Sequence, residues 1–439
     1  MTLLVISPDY ASHLLPLATL ATAWRDAGER VVVASGLATA AITADFGFER
    51  AGLSLGRGSN PGVIRAENQV AGEDLALRGF FAATERGMVD TLMYQAEARR
   101  ADLLWDPITT ARRVLAVVRE VRPDQIIVDH LAFTARLALL AEQIPHADVV
   151  LGHPSALPVG DEVYGYPPAW PAAFEPDPNQ LDALLERCRK VRDDFTDEWN
   201  AALEVLAPQA VPSTDAFMEH ADPVLLNYPA QLHDPVRTAR LGPHAFLGSS
   251  VRSQQLPPDL ARWCDADPGT PLVYVSFGSF LSVRADVLAK VVDALRPLPV
   301  RVALAIGSAD PAVVGDVPSS WLVREFLPQV ALLERAALAV THGGNNSVTE
   351  SLTCGVPMLV LPFSTDQFAG AAAVEDAGVG EVLDPNAATV AELRSTVTAI
   401  LQGNHADLAG ELGVSLRAHP GRVVAMEALA LATAGRSSG

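Results

Sequence analysis

Polar and backbone-permissive residues crowd the junction Thr341–Glu350, "THGGNNSVTE", where an apolar stretch gives way to an amphipathic one. His342, Asn346 and Ser347 bring hydrogen-bond donors, and Gly343 and Gly344 permit close backbone approach. A helix starting at such a turn aims its free N–H groups and positive dipole end at the same point. Together these features fit a phosphate. "VSFGSF" (275–280) offers a second donor turn through Gly278 and Ser279. "LPFSTDQ" (361–367) sets the carboxylate of Asp366 beside the amide of Gln367, a pair suited to adjacent hydroxyls. The plain structural alternatives are a capping box made by Ser347 and Glu350 and a helix N-cap at Asp366.

Such turns need a scaffold, and the chain alternates short apolar runs with amphipathic segments. "TLLVIS" (2–7), "RVVVAS" (30–35), "QIIVDH" (125–130) and "ADVVLG" (147–152) read as strands. Helices are expected over 13–28, 109–121, 131–143 and 179–206. The Pro-, Tyr- and Trp-rich stretch 152–178 reads as a long loop. The alternation restarts at Pro271 and closes with helices over 388–432, ahead of a tail "GRSSG". Strands apolar all round predict parallel sheets covered on both faces, that is, an α/β protein of two doubly wound, Rossmann-like domains facing across a cleft. Expected boundaries are 1–230, a linker at 231–245 within Pro-punctuated 223–250, 246–404, and a C-terminal helical segment 405–439 packing back toward the first domain. Ligands of such sheets sit beyond the carboxyl ends of the strands.

Composition excludes several classes. A net charge of −20 argues against nucleic acid or anionic lipid as partner, so an anionic ligand must be met by local dipoles. The three cysteines, Cys188, Cys264 and Cys354, lack CxxC spacing, which fits a reducing cytoplasm rather than a disulfide framework or structural zinc. Neither a signal peptide nor a membrane span is expected. A nicotinamide site would need GxGxxG after the first strand, where the chain instead reads "SPDYASH".

The order Phe326-Leu327-Pro328-Gln329, His342-Gly343-Gly344, Asn346-Ser347, Glu350, Gly355-Val356-Pro357, Pro362, Asp366-Gln367 resembles the donor signature of family 1 glycosyltransferases. These are nucleotide-diphospho-sugar enzymes of the two-domain GT-B fold, and bacterial members acting on macrolides and other natural products are most similar. The resemblance implies that Phe326 stacks on the base and Gln329 contacts it. It implies that His342, Gly344, Asn346, Ser347 and Ser279 hold the diphosphate, Glu350 the ribose, and Asp366 and Gln367 the sugar. Family members often have Trp where Phe326 stands and Asn where Gly370 stands.

Sugar transfer to a hydroxyl needs a base. His13 follows the first strand and titrates near neutrality, and Asp129 ends another strand where it can orient the imidazole. The family uses such a dyad, commonly with Gly where Ser12 stands here. The plain alternatives are a helix N-terminal histidine and a capping aspartate. No DxD in a Gly-bounded loop and no E-x7-E pair around Glu350 and Glu375 occurs, which favours metal-independent inversion, while the resemblance implies a hexosyltransferase using a UDP- or dTDP-sugar and no cofactor. Phe80, Phe81, Met88, Trp105, Phe133 and Tyr166 are candidates to line an apolar acceptor pocket, with plain core as the competing reading for each. A homodimer, and a catalytically inactive nucleotide-sugar-binding helper of the same fold, are also compatible with the sequence.

Overall fold

The computed structural model describes residues 1–60, 73–99, 103–278 and 284–437. Val-, Ile- and Leu-rich runs of three to six residues become strands because both of their faces can be buried. The first sheet holds β1 (Thr2–Ile6), β2 (Arg30–Ser35), β3 (Glu49–Gly52), β4 (Gln125–Asp129), β5 (Ala147–Val150), β6 (Val224–Leu226) and β7 (His244–Phe246). Their order is β3-β2-β1-β4-β5-β6-β7, with every pairing parallel. The second sheet holds β8 (Leu272–Ser276), β9 (Arg301–Ala305), β10 (Leu322–Arg324), β11 (Leu338–Thr341), β12 (Met358–Val360) and β13 (Gly380–Val382). Its order is β10-β9-β8-β11-β12-β13, again parallel throughout. Helices cover both faces. One core layer of the first domain packs Leu14, Leu17 and Trp24 against Leu3 and Val5, and the opposite layer packs Val114 and Leu115 against Leu4 and Ile6.

The linker expected at 231–245 is corrected. β7 pairs with β6, Val224 opposite His244, so this stretch completes the first sheet and the chain crosses to the second domain only after Phe246. Proline punctuation hid two three-residue strands, too short to give a period. β3 was equally hidden, because "ERAG" is an edge strand without an apolar face. At the other end, helix His405–Ala418 stays with the second domain, its Gly413 closely facing Leu352. Helix Gly421–Ser437 crosses back: Ala425 and Leu429 enter the first domain's core, and Arg422 pairs with Asp26 at 2.6 Å.

Candidate functional site

Strand order reverses between β1 and β4 in the first sheet, so the loops leaving those strands diverge and open a crevice at their carboxyl ends. His13, in the first turn of helix Ala11–Asp26, and Asp129, the last residue of β4, meet there. His13 Nδ1 lies 2.7 Å from Asp129 Oδ2, while Leu131 N–H donates to Asp129 Oδ1 at 2.8 Å. Asp129 is 1% exposed and His13 25%, so the carboxylate is fixed and the far side of the ring faces the cleft. Burial disfavours the imidazolium, but the charge and hydrogen bond of Asp129, with Asp366 adding, outweigh it and hold the His13 pKa above the usual value. The connection from β1 to the His13 helix is itself anchored: Asp9 accepts from Ala38 N–H, Thr39 N–H and the Thr39 hydroxyl.

The second sheet reverses between β8 and β11, where "THGGNNSVTE" lies. Helix Asn345–Thr353 starts with Gly344 as its N-cap and no side-chain cap, which rules out the capping box of Ser347 and Glu350. The two glycines have packing reasons. Gly343 has φ +80° and a side chain there would meet Val360, whereas one at Gly344 would come within 2.5 Å of the His342 ring. His342 is held neutral, because burial pushes its pKa down to about 4, and its Nδ1 is buried with no partner among the described residues. Asn346 and Ser347 occupy the first turn of the helix. Ser279 lies outside the described residues.

Around the expected base and ribose site, Phe326 is 69% exposed, an unusual position for a large aromatic. Gln329 Nε2 donates to Glu350 Oε2 at 2.6 Å, and Arg252 Nη1 donates to Glu350 Oε1 at 3.1 Å. Burial raises the Glu350 pKa against the pull of Arg252 and Gln329. Asp366 is the N-cap of helix Gln367–Asp376, yet its side chain makes no cap bond and instead accepts from His153 N–H at 2.6 Å. Gln367 is turned inward, its Oε1 accepting from the Phe363 and Ser364 amides at 3.0 and 3.2 Å. In this arrangement Asp366 reaches the cleft and the Gln367 amide serves its own turn.

The carboxyl ends of the two sheets therefore face each other in close contact. Asn346 Nδ2 donates to Ser12 O at 3.0 Å, and Asn345 Nδ2 to Leu151 O and Asn227 O at 2.7 and 2.9 Å. Asn345, His153 and Tyr228 were missed in the sequence. Each stands beside a strand end, but only the fold brings all three to Asp366.

The acceptor-lining expectation is largely corrected. Phe133 is buried with its ring edge-on to Phe195, Phe217 and Tyr164, and Met88 belongs to the same core. Phe80 joins the second domain's core and Phe81 packs against it, because helix Glu73–Arg86 docks there. Thr84 secures that docking by accepting from Arg284 at 3.3 Å and Asn386 at 2.9 Å. Trp105 and Tyr166 are half-buried, Tyr166 against the first domain's core. No group of His, Cys, Asp or Glu among the described residues could hold a metal ion, and no helix among them is long and apolar enough to cross a membrane.

Residues 194–407 match the family model for UDP-glucoronosyl and UDP-glucosyl transferase. An uncharacterised UDP-glucosyltransferase, YojK, of Bacillus subtilis is 30% identical over 42% of this chain and 46% of its own length. The oleandomycin glycosyltransferase of Streptomyces antibioticus is 29% identical over 43% of each chain. The matches thus span less than half the length of these curated relatives. Among solved structures, the glycosyltransferase VinC in complex with dTDP superposes with a TM-score of 0.68 at 21% identity, covering 99% of this chain and 100% of that one. The calicheamicin glycosyltransferase CalG4 gives a TM-score of 0.66 at 18% identity over 100% and 99%. The two parallel-sheet domains are those of the GT-B fold, and residues 194–407, just under half of the chain, are similar to the UDP-glucoronosyl and UDP-glucosyl transferase family.

Proposed function

We propose that the protein transfers a hexosyl group from a UDP- or dTDP-sugar to a hydroxyl of an apolar natural-product acceptor, with inversion at the anomeric carbon and without a metal. The observation that carries this reading is the His13–Asp129 pair, 2.7 Å apart, facing across the cleft the helix that starts at Asn345. The similarity to a UDP-glucosyltransferase, to the oleandomycin glycosyltransferase and to a glycosyltransferase in complex with dTDP supports a nucleotide-sugar donor and a natural-product acceptor.

In this mechanism the acceptor hydroxyl gives its proton to His13 Nε2 while Nδ1–H remains on Asp129. The freed oxygen pair forms the new bond to the anomeric carbon as the bond to the phosphate oxygen breaks. The electron pair of that bond leaves on the nucleoside diphosphate, where the N-terminus of helix Asn345–Thr353 and the neutral His342 meet the growing charge. Phe326 offers an exposed face for the base, and Glu350 a carboxylate for the ribose hydroxyls. Asp366 accepts from the transferred sugar.

A thermal-shift panel with UDP, dTDP, UDP-glucose, dTDP-glucose, ADP and NAD tests the donor half. Stabilisation by UDP or dTDP species alone is the expected result; a ligand at a hundred times its Kd adds about 2.7 kcal/mol. Stabilisation by NAD alone, or by none, would sink the reading. His13→Ala then separates an enzyme, which loses turnover and keeps nucleotide binding, from a binding-only helper with no turnover to lose.

A further inference from the structure

One crevice between the domains is walled by His153 and Tyr228 on the first side and by Gly343, Asn345, Asp366 and Gly370 on the second. Tyr228 follows β6, its backbone N–H bonded to Leu226 O at 2.8 Å and its ring set edge-on to His153 with centroids 5.1 Å apart. The residue is 1% exposed, yet its hydroxyl has no hydrogen-bond partner among the described residues. A buried phenol of this kind is uncommon unless a ligand or water completes it. Burial, with Asp366 adding, raises its pKa, so it is a protonated donor at any ordinary pH. Facing it, Asp366 Oδ2 accepts from His153 N–H and Oδ1 from the Thr365 hydroxyl at 2.9 Å. A carboxylate oxygen has a second lone pair, so Asp366 can still accept from a ligand.

The opposite wall is low because Gly370 has no side chain; a Cβ there would lie 3.8 Å from Gly343 O and 4.0 Å from the His153 ring, so a methyl fits but fills the gap. The lining contains one carboxylate and no Lys or Arg. His153 supplies no cation either, since burial, with Arg237 and His233, pushes its pKa down to about 3. A group that accepts from a phenol and donates to a carboxylate is a neutral hydroxyl; a second carboxylate would meet Asp366 with no cation in the lining to balance it.

We infer that Tyr228, opposite Asp366, forms a subsite for one hydroxyl of the transferred sugar, and that this subsite selects neutral sugars over uronic acids. The inference rests on the donor reading above. It assigns the first domain a direct part in donor choice. The crevice as it stands has no room for a water molecule, so in this inference the sugar hydroxyl enters it with the two walls, one from each domain, set further apart.

Titration calorimetry on the full chain tests this with UDP, dTDP, their glucose conjugates, and the glucuronate conjugate of whichever nucleotide binds. Tyr228→Phe removes only the hydroxyl and should weaken the glucose conjugate about fivefold while the bare nucleoside diphosphate stays within about twofold. Gly370→Val, filling the crevice from the other wall, should do the same if Tyr228→Phe fails to fold. Glucuronate conjugates should bind the wild type no better than the bare nucleotide. Equal glucose-conjugate affinity in the folded variants, or tight glucuronate binding, overturns the subsite while leaving the donor reading intact. If neither bare nucleotide binds, the donor reading itself falls, and the subsite with it.

Discussion

The two sheets reverse strand order in the same way but put different chemistry at the reversal. At β1/β4 the loops bring two titratable side chains to 2.7 Å, one nearly sealed and one facing the cleft. At β8/β11 the described residues offer glycines, amides and a helix N-terminus, with the one imidazole held neutral. In the proposed mechanism the first reversal handles a proton, which needs a pKa near working pH; the second handles charge, which needs fixed dipoles that do not titrate. One fold supports both because the crevice is made by topology, while its chemistry is written in the few residues after each strand.

The difference can be broken first on the proton side. Removing the imidazole by His13→Ala should lower kcat/KM roughly a hundred- to ten-thousandfold with nucleotide affinity unchanged, checked by steady-state kinetics beside calorimetry. Loss of nucleotide binding as well would mean the two reversals are not separable.

Asp129→Asn should cost about a hundredfold and also move the pH profile. In the proposed mechanism neutral His13 is the base, so wild-type activity should fall as pH drops through a pKa that Asp129 holds above the usual histidine value. Without that charge burial prevails, and the acid limb should shift to lower pH. An unmoved limb would assign the profile to another group. The same raised pKa makes the pair's contribution to stability full below the unfolded histidine value and lost as pH rises through the folded one.

On the charge-binding side, Phe326→Ala should weaken nucleotide binding about tenfold, within the range of one aromatic stack, and leave Tm unchanged because the ring is exposed. A lowered Tm with unchanged affinity would make Phe326 structural. The smallest effect is expected where the two sides touch. Asn345→Ala removes bonds to Leu151 O and Asn227 O, and should lower kcat about fivefold with little change in nucleotide Kd. Such a split would sharpen the contrast by showing that closure, rather than donor grip, depends on that amide.

Legibility followed the strength of each local signal. β1, β2, β4 and β5 are rich in Val, Ile and Leu and buried on both faces, and they appeared where the pattern put them. β6 and β7 are too short for any period, so a completed sheet read as a linker. His342, Asn346 and Glu350 could be singled out because they cluster in one stretch of chain. Phe80 and Phe133 were assigned to an acceptor pocket because hydrophobic side chains look alike in sequence, whichever domain buries them. Gln367 kept its neighbourhood but not its freedom, since its inward turn depends on the backbone geometry at Phe363 and Ser364.

By itself the sequence determined two doubly wound sheets and the residues at their strand ends, because alternation, glycine turns and helix starts are local properties of the chain. Only the tertiary structure decided that Asp366 meets the backbone of His153, that Asn345 spans two strand ends of the other domain, and that Tyr228 is buried with its hydroxyl unpaired. Those contacts join residues more than a hundred positions apart, and their geometry is set by how two sheets pack rather than by any neighbour in the chain.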